Sequence, residues 1–322
     1  MKQRVLYPDI CKFIAIFLVT WSHCAQCISG ELWSNFLGGR QIDIAFNMPL
    51  FMLISGWFIN LDRIRSTKAL EYISSKFKRL IVPSITWFLI HCILILHFPD
   101  KSIFTYFWYL NALFACMCII FLAAKLIKND ALCCILSILL VLLMPYSDYS
   151  NINFMFPFIW AGYGLRRIIE SKYATLFCTT SFLIGVILCF FWSPDYTVYL
   201  SPFSITRLTH NSLIYIYIYI YRFAAGFTLS AFIIFLTKKI PHGKLANQLA
   251  RMGTYSLVLY TSSLTILGPL RKLASLFNLH NNDLFILDII SLLLCLVFVI
   301  LAIKLADICK KHKYLSFLLL GE

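Results

Sequence analysis

Apolar residues fall along the chain in long unbroken runs, and most polar positions gather between them. A bilayer core of roughly 30 Å needs about 20 helical residues per crossing. Runs of that kind lie near 9–29, 42–60, 80–97, 104–125, 131–146, 153–168, 173–192, 213–236, 252–270 and 284–306. They predict about ten transmembrane helices, the fifth and sixth being short enough to leave nine open. Barrel strands are short and alternate apolar with polar, so the pattern excludes a barrel. The stretch IYIYIYIYR at 214–222 does alternate, but it lies inside a longer apolar run and is predicted to be helix.

Composition agrees with that reading. Of 322 residues, 61% are hydrophobic and 13% charged, with a mean hydropathy of +0.82. A soluble domain needs a polar coat that this chain cannot supply. The predicted class is all-α, a polytopic integral membrane protein, with 1–322 as a single transmembrane domain and no appended soluble domain.

The formal charge of +14 would suit nucleic acid if it formed one patch, but it follows the loops. With the N-terminus inside, 21 of 28 basic residues fall on the cytoplasmic side, among them Arg63, Arg65, Lys68, Lys76, Lys78 and Arg79. Arg40, Lys101, Arg207, Arg271 and Lys272 fall outside, while Lys12 and Arg222 lie within spans. This is the positive-inside pattern. It places both termini in the cytoplasm and excludes a nucleic-acid partner. The start MKQR followed by an apolar run mimics a signal peptide. Asp9 and Lys12 interrupt the apolar region, so it is read as a retained first helix. Most of the twelve cysteines lie in spans, where they act as small hydrophobes. HCAQC at 23–27 has CxxC spacing but too few neighbouring ligands for a metal site.

The first span, YPDICKFIAIFLVTWSHCAQC at 7–27, carries three ionisable groups: Asp9, Lys12 and His23. Asp9 and Lys12 are spaced i,i+3 and can neutralise one another. Lys12 and His23 are eleven residues apart, which returns them to one stripe of the helix about 16.5 Å apart along its axis. Intramembrane ionisable groups commonly face the bundle interior and mark a pathway or reaction site. The plainer alternative is an interfacial belt of Trp21, Ser22 and His23 with Lys12 snorkelling inward. Arg222, in the eighth span, either orients an acceptor or pairs structurally with a neighbouring helix. Tyr215, Tyr217, Tyr219 and Tyr221 around it either stack on sugar rings or face lipid. His91 and His97, at the outer end of the third span, are read as interfacial.

The opening helix resembles that of the membrane-bound acyltransferase-three family. It has an acid, a basic residue three later, then ten residues and a histidine: Asp9, Lys12 and His23. Lysine in the basic place is similar to the fucose 4-O-acetylase-like branch. FNMPLFMLISGWFI at 46–59 resembles the family's HMPLFFFISGFL, with Asn47 in place of its histidine. KFKRLIVP at 76–83, FWYLNALF at 107–114, FIWAGYGLRR at 158–167 and GTYSLVLYTSS at 253–263 resemble later motifs in the expected order. The last of these ends in Ser263 where the family has histidine.

The resemblance implies an O-acyltransferase, moving an acetyl group from cytoplasmic acyl-CoA to a hydroxyl of a cell-surface glycan or its lipid-linked precursor. It places the chain in the bacterial inner membrane. Acyl-CoA would be a co-substrate rather than a tightly bound cofactor, and no metal is implied. His23 would be catalytic, with Lys12 and Asp9 beside it. Lys12, Lys76 and Arg79 would bind the polyanionic donor, and Arg222 the acceptor. His23 could act as general base or be acylated itself. The competing reading is an exporter or flippase for polysaccharide or lipid-linked sugar. An inverted repeat would favour it, and no second copy of the Asp-Lys-His helix is present.

Overall fold

The structure, a computed structural model, describes residues 5–29, 41–95, 103–144, 151–192, 212–274 and 284–322. These residues form helices and no strand. Arg40, His97, Lys101 and Arg207 lie outside the described residues. The chain divides into two compact units. One comprises Met1–Ile44, Lys78–Phe107 and Ile240–Glu322, the other Ala45–Phe77 and Trp108–Lys239.

In the first unit, α1 (Tyr7–Ser29) packs against α12 (Lys244–Thr254), α13 (Ser256–Ala274) and α14 (Leu284–Cys309). α13 also meets α5 (Val82–Ile95), and α6 (Ile103–Tyr106) follows it. After α15 (Lys313–Leu315), a C-terminal π-helical turn Ser316–Leu320 packs back on α5 and α14. In the second unit, α9 (Ile152–Ile169) packs against α7 (Trp108–Leu126), α8 (Asp130–Leu143), α10 (Ala174–Phe190) and α11 (Ser212–Lys239). α2 (Gln41–Trp57), α3 (Leu61–Ser66) and α4 (Ala69–Lys76) supply the rest.

Each predicted span overlaps helix, the run at 104–125 being divided between α6 and α7 and that at 252–270 between α12 and α13, and IYIYIYIYR lies within α11. Among the described residues, five helical stretches are long and apolar enough to cross a bilayer: Tyr7–Ser29, Ala69–Ile95, Trp108–Leu126, Ile216–Lys239 and Ile286–Cys309. Their outward faces are apolar too, with Leu293 58% and Leu301 59% exposed on α14. Such surface is at home in hydrocarbon and costly in water. All twelve cysteines are free thiols and buried or half-buried within helices.

The third span differs from expectation. The apolar run begins near residue 80, but the helical stretch that contains KFKRLIVP starts at Ala69. Residues Phe77–Ile81 widen into a π-helical turn just before Pro83. Proline lacks an N–H and its ring crowds the carbonyl four residues back, which is that of Arg79. A wider turn relieves that clash. Gly321 fills the space beside it: its φ is +69°, and an added Cβ would lie 2.6 Å from the Arg79 carbonyl oxygen. Only glycine tolerates both conditions there.

Motif glycines set the helix crossings within each unit. In the second, a Cβ on Gly56 of α2 would lie 1.8 Å from the Ile159 carbonyl oxygen of α9. Reciprocally, one on Gly162 would lie 2.0 Å from that of Leu53. The two backbones therefore touch, which small residues allow between membrane helices.

Candidate functional site

Asp9 stands in the first turn of α1, where a carboxylate is favoured by the helix dipole. Lys12 Nζ donates to its Oδ1 at 3.1 Å. The side chains are 12% and 26% exposed, so the pair is mostly withdrawn from water. Its seat is fixed by α12, because a Cβ on Gly253 would lie 1.8 Å from the Asp9 carbonyl oxygen. Ile10 packs on Ala246 and Ala250 of the same helix. The glycine that opens the GTYSLVLYTSS motif is thus what lets α12 close on the charged pair.

Three turns further along α1, His23 is half-buried, with Nδ1 3.0 Å from Ser263 Oγ on α13. Ser263 Oγ donates to the Tyr260 carbonyl at 2.9 Å. Trp21 Nε1 donates to Ser291 Oγ of α14 at 3.0 Å, and Ser22 is buried. Trp21 and His23 thus each bond to a side chain of a neighbouring helix, α14 and α13. Lys12 and His23 are both half-buried on one continuous helix, about 16.5 Å apart along its axis.

Ser263 is the functional candidate that sequence reasoning missed. It stood out only as a departure from a motif histidine, yet it is the hydrogen-bond partner of His23 across 240 residues of chain. Asn47, the other departure, is buried in the second unit, its Oδ1 accepting from Met48 N at 2.6 Å.

His91 requires a correction. It is 6% exposed and not interfacial. Its Nδ1 lies 3.1 Å from the Tyr106 hydroxyl and 3.3 Å from the Thr265 carbonyl oxygen. Tyr106 in turn donates to the Leu264 carbonyl at 2.7 Å. The end of α6 brings Tyr106 over the imidazole and seals it against α13.

Lys76 and Arg79 fall on opposite sides of the boundary between the two units. In the second unit, Lys76 Nζ sits 5.4 Å above the Tyr72 ring, which stacks on Phe121 at 4.8 Å. In the first unit, Arg79 is exposed on the π-helical turn, open to an anionic partner. Beside the start of α1, a cavity of about 530 Å³ is lined by Leu6, His242, Lys244, Asn247 and Arg251 among others. Arg251 reaches Asp307 at 2.9 Å.

Arg222 belongs to the second unit and is 2% exposed. Its guanidinium lies 4.1 Å from the centre of the Phe154 ring, a cation–π partner that the sequence did not suggest. Tyr219 donates to the Asn153 carbonyl at 2.9 Å, and Tyr221 to that of Leu188. Those hydroxyls serve packing, while Tyr217 is exposed. Among the described residues, no group of three metal-ligating side chains forms.

Comparison with known proteins bears on this arrangement. Residues 5–305 match the profile of an acyltransferase domain. The chain is also similar to the nodulation protein NolL of Sinorhizobium fredii (strain NBRC 101917 / NGR234), 26% identical over 228 residues. That alignment covers 62% of this chain and 60% of NolL, so the chain spans less than two thirds of that relative's length. No solved structure matches the chain.

Proposed function

The chain belongs to the acyltransferase family whose domain it matches from residue 5 to 305, and from that membership we propose that it is an integral-membrane O-acyltransferase. It moves an acetyl group from cytoplasmic acyl-CoA to a hydroxyl of a cell-surface glycan or its lipid-linked precursor. Lysine at position 12 supports a place in the fucose 4-O-acetylase-like branch. It works as one transmembrane domain of about ten helices in the bacterial inner membrane, with both termini in the cytoplasm.

One observation carries the reading: a histidine held by a neighbouring helix, on the same face of α1 as a partly buried lysine–aspartate pair. An imidazole can take a hydroxyl proton near neutral pH. In the proposed step, His23 removes the acceptor's hydroxyl proton as its oxygen bonds to the thioester carbonyl carbon. The carbon–sulfur bond breaks, and the departing thiolate takes the proton from the imidazolium. The products are the ester and free CoA, with His23 restored. Lys76 and Arg79 attract the donor phosphates, and Arg suits bidentate contact with them. Within the first unit, the cavity beside Leu6 is also lined by the cations Lys244 and Arg251. Arg222 orients the acceptor.

Mass analysis of surface glycans, with and without the gene, tests the reaction. Loss of the acetyl increment in the null strain is expected, and unchanged glycans would sink the proposal. Topology is tested by placing a cysteine at Leu70, which is 83% exposed. A membrane-impermeant thiol reagent should miss it in intact cells and reach it once the inner membrane is opened.

A further inference from the structure

A neutral imidazole carries one N–H and one bare nitrogen, and its hydrogen bonds decide which is which. The Ser263 hydroxyl has a single proton, directed to the Tyr260 carbonyl oxygen at 2.9 Å. This bond to the preceding helical turn is a habit of serine in helices. The oxygen is then left as an acceptor towards His23 Nδ1, 3.0 Å away. The nitrogen facing it must carry the hydrogen.

We propose that Ser263 is a positioning residue, fixing His23 as the Nδ1–H tautomer so that Nε2 is the bare, basic nitrogen. The inference rests on the reading of His23 as the base. Ser263 is fully buried, so water does not compete for the bond. When Nε2 accepts the acceptor's proton, the ring becomes a cation with hydrogen on both nitrogens. Ser263 still accepts from Nδ1, and the bond strengthens as charge develops. Its contribution therefore falls on the transfer step and not on donor binding. The motif's departure from histidine at this position keeps an acceptor in place.

Three variants and one spectroscopic measurement test this. Purified Ser263→Ala, which removes only one oxygen, should fold normally. It should lose about 10- to 100-fold in kcat, the range for a buried donor left without its acceptor, with KM for acyl-CoA unchanged. Ser263→Thr, which keeps the hydroxyl, should recover most of the rate. Nitrogen NMR of isotope-labelled histidine should show the Nδ1–H form at His23 in the wild type and its loss in Ser263→Ala, whether or not Ser263→Thr folds. A wild-type rate in Ser263→Ala, or an Nε2–H tautomer in the wild type, would overturn the inference. His23→Ala separates the two ideas: retained transfer there defeats the general-base reading itself, while the NMR result still decides what Ser263 does to the ring.

Discussion

The two units bury polar side chains to different ends. In the second unit the partners are structural. Asn153 Nδ2 donates to the Val141 and Met144 carbonyls, where α8 ends. Trp160 donates to Ser137, and Arg65 ties Asp130 to the carbonyls of Ala124 and Ile127. These bonds satisfy helix ends and hold neighbouring helices together. In the first unit, α1 and α5 instead carry groups that can gain or lose a proton, all at least partly withdrawn from water: Asp9, His23 and His91. The contrast teaches that buried polarity alone does not mark chemistry. A guanidinium does not deprotonate in proteins, so Arg222 can position a ligand but not exchange its proton.

The largest test of that contrast is His23→Ala. A positioned base contributes about 10²–10⁴-fold, so transfer measured with labelled acetyl-CoA should fall by that much in a folded protein. Lys12→Ala should also impair transfer, since it removes the cation that pairs with Asp9. Lys12→Arg, which keeps the charge, should restore much of the activity. A near wild-type rate in His23→Ala would put the two units on an equal, purely structural footing.

Glycine substitutions probe packing and come next. Gly162→Ala should lower stability by about 3 kcal/mol, because overpacking of touching backbones has few ways to relax. Gly164→Ala, two residues along α9 with nothing within 4 Å of an added Cβ, should be neutral or stabilising by up to about 1 kcal/mol. Thermal unfolding in detergent reads both. Equal effects would mean that the α2–α9 contact is looser than described.

Smaller still is Arg79→Ala, expected to raise KM for acyl-CoA about tenfold with little change in kcat if only uniform donor binding is lost. Equal falls in kcat and kcat/KM would move Arg79 to the transition state. The least effect concerns Asp130. Partial burial pushes its carboxyl up, but hydrogen bonds from Arg65 and Tyr163, with the charge of Arg65, more than offset this and hold it below the usual range. A carboxyl depressed by folding stabilises above its unfolded value of about 3.9, and that stability fades as pH falls through the lower folded value. Arg65→Ala should flatten this acid limb of the melting curve. The change should be slight, because the carboxylate is 41% exposed and water screens it.

Helix positions were legible because a bilayer demands long apolar runs, and the Asp9–Lys12 bond because i,i+3 neighbours meet on any helix. The partner of His23 was not legible. Nothing local ties Ser263 to a residue 240 positions earlier, and a small hydroxyl in an apolar helix carries no signal of its own. His91 was misread for a related reason: its depth in the span is a sequence property, but the tyrosine that covers it arrives from the next segment. The π-helical turn had a visible cause in Pro83, yet whether proline ends a helix or widens it depends on what packs alongside, here Gly321.

Nine of the native thiols are buried and three, Cys118, Cys134 and Cys189, are half-buried, which has a practical consequence for labelling. Cys11, Cys24, Cys116, Cys133, Cys178 and Cys295 are wholly inaccessible, and none of the twelve is exposed. Water-borne maleimides attack thiolates they can reach, so the unaltered protein should stay dark and serve as its own blank. One added cysteine, such as that at position 70, then reports alone. Stripping the twelve would be the worse route. Cys24 adjoins His23, and each replacement in a close-packed interior leaves a gap or a clash. The most faithful background for mapping this protein is the sequence it already has.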